Sequence, residues 1–198
     1  MSIIVNKISN FIYVNSIAFV VIVFITFING PSYPFVGNLI WLPLGAVSLC
    51  YLLFGFKIFM TVFFAIQFSD YLLHGENFFS YTTTFLNTVD VFAPMLAIAS
   101  MKFFKLSNFF DDEKVVFQHL LFLAILTALC NTLLAFFMTS YLSGVDQSIK
   151  LINATQFIEN FLIGDILGCL IILFFAALVI VPGIRYFAPE LVPSDLDN

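Results

Sequence analysis

The chain reads as an all-α polytopic membrane protein with six transmembrane helices and both ends on the cytoplasmic side. Three observations carry this. Of the 198 residues, 62% are hydrophobic and only 10% charged, with a mean hydropathy of +1.08. A soluble domain carries about 25% charged residues, because it must cover its core with water-compatible side chains. The apolar residues also form long uninterrupted runs, the pattern of bilayer-spanning helices. Finally, the basic residues fall almost entirely on one side of the runs.

A hydrocarbon core of about 30 Å calls for roughly 20 helical residues. Six segments approach that length: 9–28, 38–56, 58–73, 79–101, 115–142 and 156–182. The third is the shortest of them, and Lys57 and the Ser69–Asp70 end are expected to snorkel or pack inward. Helix-stopping residues separate the runs: Gly30-Pro31-Ser32-Tyr33-Pro34, Gly55-Phe56-Lys57 and His74-Gly75-Glu76-Asn77. Ahead of the fifth run, Asn108 is expected to cap a helix whose first turn holds Asp111, Asp112 and Glu113, where the helix dipole favours negative charge. The first run lacks a small-x-small cleavage site and is read as a retained helix. Residues 1–185 then form one transmembrane domain and 186–198 a short cytoplasmic tail.

Orientation follows from the positive-inside rule. With the N-terminus inside, Lys7, Lys57, Lys102, Lys105, Lys114 and Arg185 are cytoplasmic and only Lys150 is external. The inner (plasma) membrane of a bacterium is the expected location. A net charge of −5 excludes a nucleic-acid role, since nothing here neutralises phosphates. Cys50, Cys130 and Cys169 are odd in number, lack CxxC spacing and lie deep in apolar runs, so they read as small buried fillers. The sequon at Asn153-Ala154-Thr155 is given no weight in a bacterial chain. His74 and His119 lack acidic or Cys neighbours at ligand spacing, and no metal or other cofactor is expected.

The informative residues are polar and lie within the runs. A charge at the bilayer centre costs about 2.5–3.5 kcal/mol even on insertion scales, so such residues usually face the bundle interior or a wet cavity. Asp70, Asp90 and Asp165 are of this kind, with Glu159 nearer the surface, and no Lys or Arg lies at matching depth. Gln67 and Asp70 share a helix face, as do Asn87 and Asp90, and Thr127 and Asn131. Pro94 lacks the N–H that would bond the Asp90 carbonyl, so a kink is expected there. Gly164 and Gly168 bracket Asp165 as a small-xxx-small pair, which lets helix backbones approach closely. Trp41-Leu42-Pro43-Leu44-Gly45 opens the second run, as an interfacial Trp anchor with a first-turn proline or as a broken helix entrance.

By this topology Trp41, Gln67, Asp70, Asn87, Asp90, Asn131, Glu159 and Asp165 all fall in the outer half of the bilayer. The expectation is an outward-opening polar cavity that takes a cation, a proton or an amine. The competing expectation is that these groups only hydrogen-bond between helices, and for Gln67, Asn87 and Asn131 that is the favoured one. A catalytic role finds no support, because Ser and His do not converge with a base or metal ligands.

The ordered motifs resemble the first of the bacterial membrane-associated sensor domain families. They are Pro43 and Gly45 after Trp41, Asn87 with Asp90, and Gly164-Asp165 with Gly168; the resemblance spans roughly residues 8 to 185. Members usually precede diguanylate cyclase, phosphodiesterase or histidine kinase domains and often have about eight helices. The resemblance implies a signalling role with no ligand specified. With six helices and no output domain, it implies a sensor or scaffold acting through a separate membrane or cytoplasmic protein. Two other readings stand beside it: an accessory subunit of a larger complex, burying Gly164/Gly168 against a neighbour, and a small-molecule transporter or substrate-binding subunit.

Overall fold

A computed structural model describes residues 2–30, 38–75, 81–106, 117–145, 153–180 and 182. Among them the chain is helical, without strands. Helix α1 is Ser2–Asn29, α2 Leu42–Phe54, α3 Phe59–His74 behind a 3-10 turn at Phe56–Ile58, α4 Tyr81–Phe103, α5 Phe117–Val145 and α6 Ala154–Phe175, with a π-turn at Ala176–Ile180. Asn108, Asp111, Asp112, Glu113, Lys114, Lys150, Arg185 and the tail 186–198 lie outside the described residues.

Five stretches are long and apolar enough to cross a membrane: Ser9–Asn29, Phe56–His74, Tyr81–Phe103, Phe117–Val145 and Ala154–Ile180. The protein is therefore read as a multi-pass membrane protein. The short helix is α2, where the sequence points to the third. With 13 residues, α2 rises only about 20 Å at 1.5 Å per residue. The expected segment 38–56 is helical only from Leu42. Residues 38–41 instead form a non-helical strap, and Phe56 and Lys57 join the helical stretch of α3.

Helix α2 sits centrally, packing on α1, α4 and α6, while α3 bridges α1 and α4, and α5 lies between α4 and α6. Small residues make this possible. A Cβ at Gly45 would lie 2.7 Å from the Gly168 carbonyl oxygen and 2.9 Å from both Cys169 Cα and Ile172 Cβ. Helices α2 and α6 thus pack in parallel, almost backbone to backbone. Buried side chains from every helix fill the core between them, including Ile22, Leu44, Val47, Val62, Val91, Leu123 and Leu173. Outside, large apolar residues such as Phe24, Met60, Phe92, Phe137 and Ile171 are exposed, as suits contact with lipid chains.

Two helix ends show why the chain turns where it does. Gly75 closes α3 in the left-handed conformation at φ 63°, its N–H bonded to the Tyr71 carbonyl at 3.0 Å. Gly55 ends α2 at φ 73°, bonding Tyr51 at 2.9 Å. Asn153, part of the discounted sequon, caps α6 by accepting from the Thr155 N–H at 2.9 Å.

Candidate functional site: a polar ridge across four helices

The strap that precedes α2 is the first unusual element. Non-helical backbone at membrane depth survives only where its polar groups are satisfied inside the protein. Here the N–H groups of Trp41 and Leu42 are. The Trp41 N–H donates to the Gly164 carbonyl at 2.9 Å, breaking into the surface of α6. The Leu42 N–H donates to Asn29 Oδ1 at 2.9 Å, so the last residue of α1 caps α2. The next residue, Pro43, has no N–H to satisfy. The two glycines of α6 are where the strap lies: a Cβ on Gly164 would overlap the Asn38 carbonyl, and one on Gly168 would overlap the Trp41 carbonyl.

This corrects one expectation. Gly164 and Gly168 are not an outward seam awaiting another subunit, because the chain's own strap fills them. Asn29 had no assigned role in the sequence reading. Replacing Asn29 with Ala removes the cap and should cost about 1 kcal/mol, measured as a lowered midpoint of reversible unfolding in mixed micelles.

Two polar clusters meet along α4. At the outer one, Asn87 Nδ2 donates to Gln67 Oε1 at 2.6 Å, and Gln67 Nε2 donates to Thr84 Oγ1 at 3.0 Å. Both Gln67 and Asn87 are buried. This cluster fastens α3 to α4. Asp70, one turn further along α3, keeps 15% of its side chain exposed and has its Oδ1 3.9 Å from His74 Nδ1. The two are spaced i,i+4, so His74 does have an acidic neighbour, contrary to the sequence reading.

The inner cluster is centred on Asn131 of α5. Its Nδ2 donates to Asp165 Oδ2 of α6 at 2.9 Å. Asn131 is fully buried and Asp165 is 1% exposed. The carboxyl of Asp90 on α4 lies near the Asn131 side chain and Trp41, at the mouth of α2. The Thr132 hydroxyl faces the Asp165 carboxyl. Asp90 remains partly accessible. Four helices therefore meet at one amide flanked by two acids.

On α5, Asn131 Oδ1 and the hydroxyls of Thr127, Thr132 and Thr139 are buried and have no hydrogen-bond partner. Thr127 lies one turn before Asn131 on the same face of α5. Lys57, Lys102 and Lys105 are exposed and lie at the opposite ends of α3 and α4 from Asp70 and Asn87. Glu159 is exposed.

Helix α4 is continuous through Pro94, from Tyr81 to Phe103. The carbonyl that takes an outside donor is that of Val91, which accepts from the Tyr51 hydroxyl of α2 at 3.2 Å. Sequence reasoning did not find Tyr51, because a tyrosine in an aromatic-rich run gives no signal of its partner. Nor did it foresee the bond between Thr61 of α3 and Asn15 of α1.

Comparison with protein-family models, with curated proteins and with solved structures returns no match. Trp41, Gly45, Asp90, Gly164, Asp165 and Gly168 lie where α2 meets α4 and α6, while Asn87 belongs to the other cluster.

Proposed function

We propose that this protein is a membrane sensor or scaffold module, of the kind found in bacterial membrane-associated sensor domains, that acts through a partner protein. One observation carries the reading: Asp90, Asn131 and Asp165 join α4, α5 and α6 beside the strap of α2, with no basic side chain among them. Intramembrane acids facing the bundle interior are functional sites by default. A ligand here touches four helices at once, so its binding free energy is available to shift them against one another.

In this reading α2 completes a sixth crossing. Its helix spans about 20 Å, and four extended residues add up to about 13 Å, which together match a core of about 30 Å. Both chain ends then face the cytoplasm, where Lys57, Lys102 and Lys105 satisfy the positive-inside rule in a bacterial inner membrane. The cytoplasmic ends of α4 and α6 carry the change to the partner.

The test uses the full chain in its native membranes. Asp90→Asn and Asp165→Asn should insert and fold as wild type, yet change the yield of a specific cross-linked partner about fivefold or more, the lower end of usual coupling energies. An unchanged yield with both variants removes the sensing role and leaves an accessory subunit of a larger complex. A second reading, a substrate-binding or transport subunit, is favoured by the discontinuous α2, since interrupted helices line many transporter sites. Uptake by reconstituted vesicles tests it.

A further inference from the structure

We propose that the Asp90–Asn131–Asp165 cluster is a binding site for a dehydrated monovalent hard cation, with sodium as the matching ion. The proposal rests on the sensor reading above and supplies its ligand class. Its basis is the set of oxygens that converge. Asp165 contributes a carboxylate that is 1% exposed and already aligned by Asn131. Asp90 contributes a second carboxylate against the same amide. Asn131 Oδ1 is fully buried without a partner, and so is Thr127 Oγ1 one turn away. Buried polar atoms are almost always hydrogen-bonded, so the orphaned Asn131 Oδ1, on the side chain that holds Asp165, and the orphaned Thr132 Oγ1 facing the same carboxyl point to a group that the protein alone does not provide.

The chemistry of the donors selects the ion. All are oxygens, which suit hard cations and not thiolate- or imidazole-seeking metals. Among the described residues no three His, Cys, Asp or Glu side chains group as a metal site. Calcium takes six to eight oxygen ligands, commonly from several carboxylates, and magnesium holds on to much of its water. A site with two carboxylates, one amide and hydroxyls, in a dry interior, matches a smaller charge better.

The protein carries its own reporter. Trp41 is the only tryptophan, and it lies against Asp90. Purified protein in nanodiscs is titrated with sodium chloride against choline chloride at constant ionic strength, following Trp41 emission and the unfolding temperature. Sodium should give a saturable emission change and raise the unfolding temperature by about 5 °C at saturation, with potassium at least tenfold weaker. Asp165→Asn should abolish both responses while keeping wild-type helix content and elution volume. Thr132→Val, nearly isosteric, should weaken sodium about tenfold and so separates ligand loss from misfolding. Equal behaviour of sodium and choline overturns the proposal. So does a sodium response that survives in Asp165→Asn, or one given by calcium alone. If sodium fails while Asp165→Asn still alters partner cross-linking, the sensor reading stands and only this ligand is lost.

Discussion

Replacing Gly168 with Ala should destabilise the protein by about 3 kcal/mol or more, at or above the top of the usual range for overpacking. The added methyl group would overlap the Trp41 carbonyl and come within 2.9 Å of the Leu42 nitrogen. Neither neighbour is a side chain that can rotate away. Both belong to the strap, held by the Trp41 bond to Gly164 and the Leu42 bond to Asn29. Relief therefore requires lifting the strap off α6, which breaks those bonds as well. Gly164→Ala should behave likewise, because its methyl would overlap the Asn38 carbonyl. Gly144→Ala is the control: nothing lies within 4 Å of the new Cβ, and the change should stay within about 0.5 kcal/mol. Two readouts check this, the unfolding midpoint in mixed micelles and the emission of Trp41, which should shift to the red in the two destabilised variants. A Gly168→Ala protein with wild-type midpoint and emission would show that the strap is not clamped as described.

Asn131→Leu should cost about 2 kcal/mol, for a different reason. It removes the amide that donates to Asp165 and leaves a carboxyl of 1% exposure short of a donor. Loss of one partner of a buried pair exposes the other to the full desolvation penalty, about 1–3 kcal/mol or more for a charged group. Hydrogen bonds inside membranes average only about 0.6 kcal/mol, with a maximum near 1.7. The larger figure wins here because Asp165 is only 1% exposed, so no water replaces the lost donor. The double variant Asn131→Leu/Asp165→Leu should recover stability relative to Asn131→Leu alone, since removing both polar partners is close to neutral. A double-mutant cycle measures this coupling. Simple additivity of the two changes would mean that the pair contributes no coupling to the bundle.

The parts of the fold that were legible are those governed by local composition. Long apolar runs mark the membrane helices, and Gly55 and Gly75 mark two of the turns, because a left-handed helix end is costly for other residues. Small residues at 164 and 168 signal a close approach. The partner of that approach was not legible, because spacing along one helix does not say what lies across from it. Helix α2 was expected four residues too early: Leu39, Ile40 and Trp41 are as apolar as a helix start, yet the Trp41 and Leu42 N–H groups bond to α6 and Asn29 instead. The polar residues were read as one cavity. In the structure Gln67 and Asn87 satisfy one another, while Asn131 draws Asp90 and Asp165 into a second group. Pairing between amides on different helices is a three-dimensional match with no trace in the periodicity of either.

The strap has a consequence for how the chain is made. Trp41 leaves the ribosome long before Gly164 does, yet its backbone N–H needs that glycine's carbonyl. Until the final helix arrives, the mouth of α2 has no dry place to lie, and an N–H group stranded in hydrocarbon is unfavourable. Biosynthesis thus requires α2 to wait in the insertion machinery or at the lipid headgroups. A nascent chain stalled short of α6 should leave this region open to proteases that cannot cut the finished protein.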